Sequence, residues 1–212
     1  MNLERVNLKI FANDQSYSNF AIVVFEYGIP VDRLVLHTGA NNDSNKGKLF
    51  GKYFDTVQDQ LMYVKQGYKD FFLKHQPDKL VFEGLAFGAK GDRVFQLGGL
   101  FYHITTSLCE EGFLSSEDII TVTPTEVKAI ARKDLPEGDQ VARDKQGEVI
   151  YLKSKKAKLN PMKEKKWIKK ALENTEHSWL LEGYTTSSKR VHTGAHDIPD
   201  AYYIGKAYIG KL

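Results

Sequence analysis

Val6-Asn7-Leu8-Lys9-Ile10-Phe11-Ala12-Asn13-Asp14 is the stretch from which the fold can be read. Val6, Leu8, Ile10 and Ala12 alternate with Asn7, Lys9 and Phe11, the period of two that marks a β-strand. Continuing the alternation sets Asp14 on the apolar row's face at the strand's exit, where a carboxylate is costly unless paired or metal-bound. Residues 15–19 (Gln-Ser-Tyr-Ser-Asn) are turn chemistry. Residues 20–27 then read as a buried strand, Gly28-Ile29-Pro30 reverses the chain, and 31–38 returns as a third strand. Three strands on short turns make an antiparallel meander.

After a polar loop over 39–48, apolar residues at helical spacing (Phe50, Phe54, Val57, Leu61, Val64, Tyr68, Phe71, Phe72) predict a long core-packing helix over 49–75. Gln76-Pro77-Asp78 ends it. Lys79-Leu80-Val81-Phe82-Glu83 is a short apolar run, expected to lie parallel to the first strand because a helical crossover produces parallel neighbours. Glu83 finishes this strand as Asp14 finishes the first.

The 212 residues fit one domain with a sizeable core. An apolar fraction of 42% with 12% aromatics is that of a globular chain. Cys109 is the single cysteine, which excludes an internal disulfide framework and any cysteine-based zinc site. Met1-Asn2-Leu3-Glu4-Arg5 is no signal peptide, and no apolar run approaches a membrane span. A cytoplasmic protein without membrane attachment is the expectation. Net charge is +3, but residues 132–170 carry 13 Lys and Arg against 6 Asp and Glu. A basic segment on a mildly acidic body suggests a polyanion met on one side; the alternative is a solvated lysine-rich surface.

The rest of the chain supplies further candidate groups. Residues 84–91 are glycine-rich and hold Phe87 and Lys90, without the Gly-Lys-Ser/Thr of a P-loop. A helix is expected over 92–111 and a short strand over 119–122. Thr123 with Glu126 forms a capping box and Pro124 takes the first helical position, which sets Lys128 on an early turn. Periodicity is lost from 132 to about 160, a basic excursion with a possible strand at 147–152. Asn160-Pro161 then opens a helix over 162–172 bearing Lys163, Lys165, Lys166, Lys169 and Lys170 around Trp167. A loop with Lys189, Arg190, His192 and His196 leads to His196-Asp197-Ile198-Pro199-Asp200, the start of the closing helix. Spacing of i, i+3 sets Asp197 and Asp200 on one face, one turn apart. Helix capping and the macrodipole explain such a pair equally well without a ligand.

Asp14, Glu83, Asp197 and Asp200 together make a sharper hypothesis. Neighbouring first and fourth strands would bring Asp14 and Glu83 to one edge, and a terminal helix across that edge would add the other two. Such an oxygen-rich set suits Mg²⁺ or Mn²⁺. Two such ions about 3.5–4 Å apart clamp the attacking and leaving oxygens of a phosphoryl displacement.

At these residues the chain resembles the RuvC-like Holliday junction resolvases of the ribonuclease H-like superfamily, and within them the bacteriophage-encoded members most. The match is carried by Asn13-Asp14-Gln15-Ser16, by Val81-Phe82-Glu83, by Thr123-Pro124-Thr125-Glu126-Val127-Lys128 and by Asp197-Ile198-Pro199-Asp200-Ala201. The resemblance implies an α/β fold: a mixed five-stranded sheet, three strands antiparallel and two parallel, with helices on both faces, in a single domain over 1–212. It implies a homodimer that resolves four-way DNA junctions by paired symmetric nicks, using two Mg²⁺ or Mn²⁺ ions and no small-molecule cofactor. Asp14, Glu83, Asp197 and Asp200 would hold the metals. Lys128, with Lys163 or Lys165, would lie against the scissile phosphate. Phe87, one residue further from Glu83 than the family's stacking aromatic, would meet a base, and Lys90, Lys166 and Arg190 would meet the DNA backbone. Ser16 and His196 are possible auxiliaries, His196 as a metal-site neighbour or general base. The competing readings are a nuclease of the same fold acting on flaps, branches or RNA–DNA hybrids, and a non-catalytic DNA-binding module.

Overall fold

The computed structural model describes residues 8–38, 52–84, 92–184 and 194–212. The meander is β1 (Lys9–Asp14), β2 (Asn19–Glu26) and β3 (Ile29–His37). Two parallel strands, β4 (Lys79–Glu83) and β5 (Ile119–Val122), extend the sheet on the other side of β1. The order is β3-β2-β1-β4-β5, with β1 antiparallel to β2 and parallel to β4. This is the expected mixed five-stranded sheet.

Alternation along β1 divides the core in two. Phe11, with Phe20, Ile22, Leu80 and Phe82, packs beneath α1 (Val57–His75) and α2 (Asp92–Glu110). Ile10 and Ala12, with Val23, Phe25, Val81 and Val122, face α3 (Pro124–Lys133), α4 (Lys165–Glu173) and α5 (Asp197–Ile209). A sheet buried on both sides needs near-continuous apolar strands, and Phe20 to Phe25 are all fully buried.

The capping box at the head of α3 forms as read, Thr123 accepting from the Glu126 amide while the Glu126 carboxylate accepts from Thr123. Other expectations need correction. The first helix starts at Val57 rather than near 49, because the Thr56 side chain caps it by accepting from the Asp59 amide. The lysine-rich helix starts at Lys165, three residues later than expected, because Met162 adopts φ 52°, left-handed backbone that no helix contains. Residues 147–152 form no strand; isolated antiparallel bridges join Val141 to Leu159, Arg143 to Val149 and Tyr151 to Ala157. Among the described residues no helix is long and apolar enough to cross a membrane.

Candidate active site

The strand register carries two acids to one place. Asn13 pairs with Phe82 in the parallel β1–β4 ladder, so Asp14 and Glu83 leave neighbouring strands at the same end of the sheet. Asn13 reinforces that pairing from within the core, its Nδ2 donating to the carbonyls of Phe11 and Val81 at 2.9 and 3.1 Å. By alternation Asp14 follows Ile10 and Ala12, and Glu83 follows Val81, onto the face covered by α5.

α5 crosses that face at very short range. A Cβ on Gly205 would lie 2.3 Å from Phe25 Cε2 and 2.9 Å from Ala12 Cβ, so only glycine lets the helix settle onto β1 and β2. At its start Gly194, with φ +70°, packs where a Cβ would meet Val35 Cγ2 at 2.5 Å. The Tyr203 hydroxyl ties α5 to the end of α3 by donating to Asp134 Oδ2 at 3.0 Å. Pro199 sits in the first turn of α5, where no intrahelical N–H is needed. That turn delivers Asp197 and Asp200 toward the ends of β1 and β4.

Electrostatics shows that the acids share one neighbourhood. Burial, then Asp200, raises the Asp14 carboxyl well above the usual aspartate range, with Asp197 and Glu83 adding to it. Burial likewise pushes Asp200 up to about 6, with Glu83 and Asp197 repelling its charge and Lys165 opposing them. Glu83 is raised by burial against the pull of Lys128 and Lys165. Burial disfavours the charged form of all three, and neighbouring negative charge adds to the effect at Asp14 and Asp200.

A lysine already stands among them. Lys165 Nζ lies 2.9 Å from Asp197 Oδ1 and 3.3 Å from Asp200 Oδ2. Burial disfavours its charge, but Asp200, Asp14 and Asp197 more than offset this and raise its pKa above the ordinary lysine value. The resemblance offers Lys163 or Lys165 to the scissile phosphate; the ion pairs of Lys165 carry no sequence signal, because they depend on how α4 docks against α5. Lys128 lies near enough to Glu83 to lower its pKa.

The remaining candidates are dispersed. Lys166 pairs with Glu164 at 2.7 Å and lies over the Trp167 ring, while Lys163 is exposed. The Ser16 hydroxyl is taken by its own turn, accepting from the amides of Ser18 and Asn19. His196 stands at the N-cap of α5 with Nδ1 buried and unpartnered, and burial lowers its pKa. His37, not among the candidates, is close enough to Asp197 for that carboxylate to oppose the larger lowering of its pKa by burial. Phe87, Lys90 and Arg190 lie outside the described residues.

Four carboxylates and no sulfur form a donor set suited to a hard divalent cation. Among the described residues, however, no three His, Cys, Asp or Glu side chains are gathered as a ready metal site. The donors fit Mg²⁺ or Mn²⁺ in chemistry, and the Lys165 ammonium pairs with two of them.

No protein-family model matches the chain, and no curated protein sequence does. Solved structures do. A Thermus thermophilus RuvC structure matches with TM-score 0.50 at 10% identity, over 96% of this chain and 97% of that one. A second, T. thermophilus RuvC in complex with Holliday junction substrate, has TM-score 0.45 and 10% identity, over 62% of this chain and 71% of that one. At such identity the likeness is one of architecture, and the chain has the ribonuclease H-like fold that RuvC also has.

Proposed function

We propose that this chain is a divalent-metal-dependent endonuclease acting on four-way DNA junctions. One observation carries the reading: the β1–β4 register ends Asp14 and Glu83 side by side, and Asp197 and Asp200, joined by Lys165 at 2.9 and 3.3 Å, add their charge to the field at Asp14. Burial raises Asp14, Glu83 and Asp200 even with Lys165 beside them, and titratable groups shifted by burial and by specific charge partners are concentrated at functional sites.

In this mechanism Asp14, Glu83, Asp197 and Asp200 would hold two Mg²⁺ or Mn²⁺ ions. When bound, these supply Lewis acidity to the phosphoryl group and a nucleophilic water at neutral pH. Asp14 and Glu83, fixed by the β1–β4 ladder, orient the scissile phosphate's surroundings from below; Asp197 and Asp200 do so from the helix. Lys128, beside Glu83, neutralises charge on the non-bridging oxygens as it develops. Lys163, exposed just ahead of α4, meets the DNA backbone, since phosphate contacts provide most of the affinity and set the register. One chain carries one such centre, so paired nicks on opposed strands require a homodimer.

The test compares end-labelled four-way junction, flap, RNA–DNA hybrid and linear duplex, each with Mg²⁺, Mn²⁺ or EDTA. Paired symmetric nicks on the junction alone, lost in EDTA, are expected. Asp14→Asn abolishes cleavage and retains junction binding. Equal cutting of linear duplex or hybrid refutes the substrate, and an active Asp14→Asn protein refutes the site.

A further inference from the structure

Residues 141–159 leave the body between α3 and α4, the two helices whose lysines reach the acid cluster. Without regular secondary structure, this excursion is nonetheless tightly built. Three chain segments meet in a closed ring of backbone hydrogen bonds: Ala142 N–H donates to the Lys158 carbonyl, Lys158 N–H to that of Ile150, and Ile150 N–H to that of Ala142, at 2.7, 2.7 and 2.9 Å. Two tight turns close the segments. In the first, Asp144 Oδ1 accepts from the amides of Gln146 and Glu148, and Gly147 takes φ +91°. In the second, Leu152 and Lys155 face one another, and Lys155 itself adopts φ 62°, backbone that glycine or asparagine takes more readily.

The base is clamped as well. Asn160 is buried; its Nδ2 donates to the Asp139 carbonyl, its Oδ1 accepts from the Met162 amide, and its carbonyl accepts from Arg132 Nε. The excursion is therefore an ordered arm with a fixed root.

Its outer surface carries unspent positive charge. Lys153, Lys155, Lys156 and Lys158 are all exposed, and none makes an ion pair among the described residues. The contrast is with the body, where Lys9, Lys69, Lys74, Lys79, Lys169, Lys170 and Lys211 each have a carboxylate partner. Of the arm's two acids, Asp144 is occupied in capping its own turn. Between the lysines stand apolar groups turned to solvent: Tyr151 at 65% exposure, Leu152 at 48% and Leu159 at 58%. Four unneutralised ammonium groups within six residues match a polyanion of regular charge spacing, and the exposed ring offers it a stacking or wedging surface.

We propose that this arm grips the phosphate backbone of duplex DNA beside the acid cluster. The inference rests on the DNA-binding half of the proposed function and not on its chemistry. DNA is favoured over an anionic membrane because the arm is inserted between α3 and α4, whose Lys128 and Lys165 act on the acids Glu83, Asp197 and Asp200. A polymer whose phosphodiester reaches those acids continues past the arm, whereas a lipid surface has no reason to meet both.

The experiment uses the full chain and a variant with Lys153, Lys155, Lys156 and Lys158 all changed to Ser. These residues are exposed, so retention of fold is checked by circular dichroism and melting temperature. Binding of a fluorescein-labelled four-way junction and of a 30-base-pair duplex is titrated in EDTA at several KCl concentrations. Each lost phosphate contact should reduce the slope of log K against log[KCl] by about 0.9, so four contacts reduce it by about 3 to 4. Tyr151→Ala should weaken binding while leaving that slope unchanged. An unchanged slope with affinity within two-fold of wild type overturns the proposal, as does a wild-type chain that binds no DNA. Loss of binding to vesicles of phosphatidylserine and phosphatidylcholine, with DNA binding intact, overturns it in favour of a membrane. Should the wild-type chain bind DNA with the expected slope change yet cut nothing with metal, the arm stands and the nuclease reading falls.

Discussion

Replacing Lys165 with Met tests how the acid cluster is held together. The substitution keeps most of the stem's volume and deletes the ammonium that lies 2.9 Å from Asp197 and 3.3 Å from Asp200. At those separations the two attractions are about 1.4 and 1.3 kcal/mol in a water-like medium, and about 5.7 and 5.0 kcal/mol at an effective dielectric near 20. The side chain is 56% exposed, so the solvent-screened limit is the relevant one. Recovered hydration of the ammonium subtracts further, leaving an expected loss of about 1–2 kcal/mol. For a chain of this size that lowers the melting temperature in EDTA by roughly 2–8 °C. The same electrostatics changes sign for a divalent cation, which no longer has to displace a resident charge. Mn²⁺ should bind Lys165→Met about ten-fold or more tightly than wild type by isothermal titration calorimetry, since about 1.4 kcal/mol is one decade. Lys165→Arg, retaining the charge, should keep the EDTA stability. A Lys165→Met protein that melts with wild type in EDTA and binds Mn²⁺ no better would refute the reasoning: the ammonium would then be a bystander.

Three further outcomes follow from the same geometry. Metal-free stability should fall as pH rises from about 4 to about 7. The raised carboxyls of Asp14, Glu83 and Asp200 bind more protons folded than unfolded across that window, so deprotonation costs the folded state. Melting curves in EDTA read this directly, and saturating Mg²⁺ should flatten the dependence. Below about pH 4 the trend should reverse, because Asp118 and Glu126, both lowered to about 2 by hydrogen bonds headed by Lys79 and Lys211 respectively, lose their bonds on protonation. Gly205→Ala should destabilise by about 1–3 kcal/mol despite better helix propensity, because the new methyl meets Phe25 and Ala12. Its thermal melt should show the loss, and cleavage should fall further than stability accounts for, because α5 carries two of the four acids. Asn160→Ala should cost about 2–4 kcal/mol by orphaning the Asp139 carbonyl and the Met162 amide. Limited proteolysis should then cut within 141–159 before the body.

Much of this was legible in residue order. The period of two over Ile10–Asp14, the crossover to Lys79–Glu83 and the capping box at Thr123 are local signals, and each corresponds to an element in the structure. Asp14 and Glu83 could be set side by side because parallel pairing of their strands fixes both ends at once. What escaped the sequence reading depends on distance between helices. Gly205 reads as a weak point in an apolar helix until Phe25 and Ala12 are seen beneath it. Lys165 looks like one more lysine in a basic run, and only the docking of α4 beside α5 turns it inward. The arm's ring of hydrogen bonds joins three segments that have no apolar period, so no pattern could announce it.

The basic segment therefore divides its charge between two tasks set by packing rather than by composition. Lys165, paired with Asp197 and Asp200, lessens the repulsion that these two acids of α5 exert on Asp14 at the end of β1. Lys153, Lys155, Lys156 and Lys158 have no such partner, and an arm that orders them at the cost of a left-handed lysine leaves their charge for something outside the chain. If α4 moved, the two would be affected together, because its first residue is Lys165 and the arm's root at Asn160 lies five positions before it. A double substitution joins the ideas in one measurement. Combining Lys165→Met with the four-serine arm should give additive losses in DNA affinity and metal-free stability if the inward and outward charges act independently. Coupling beyond about 0.5 kcal/mol would instead mean that occupancy of the arm is felt at the acids. Fluorescence titration at fixed KCl, run with and without Mn²⁺, distinguishes the two.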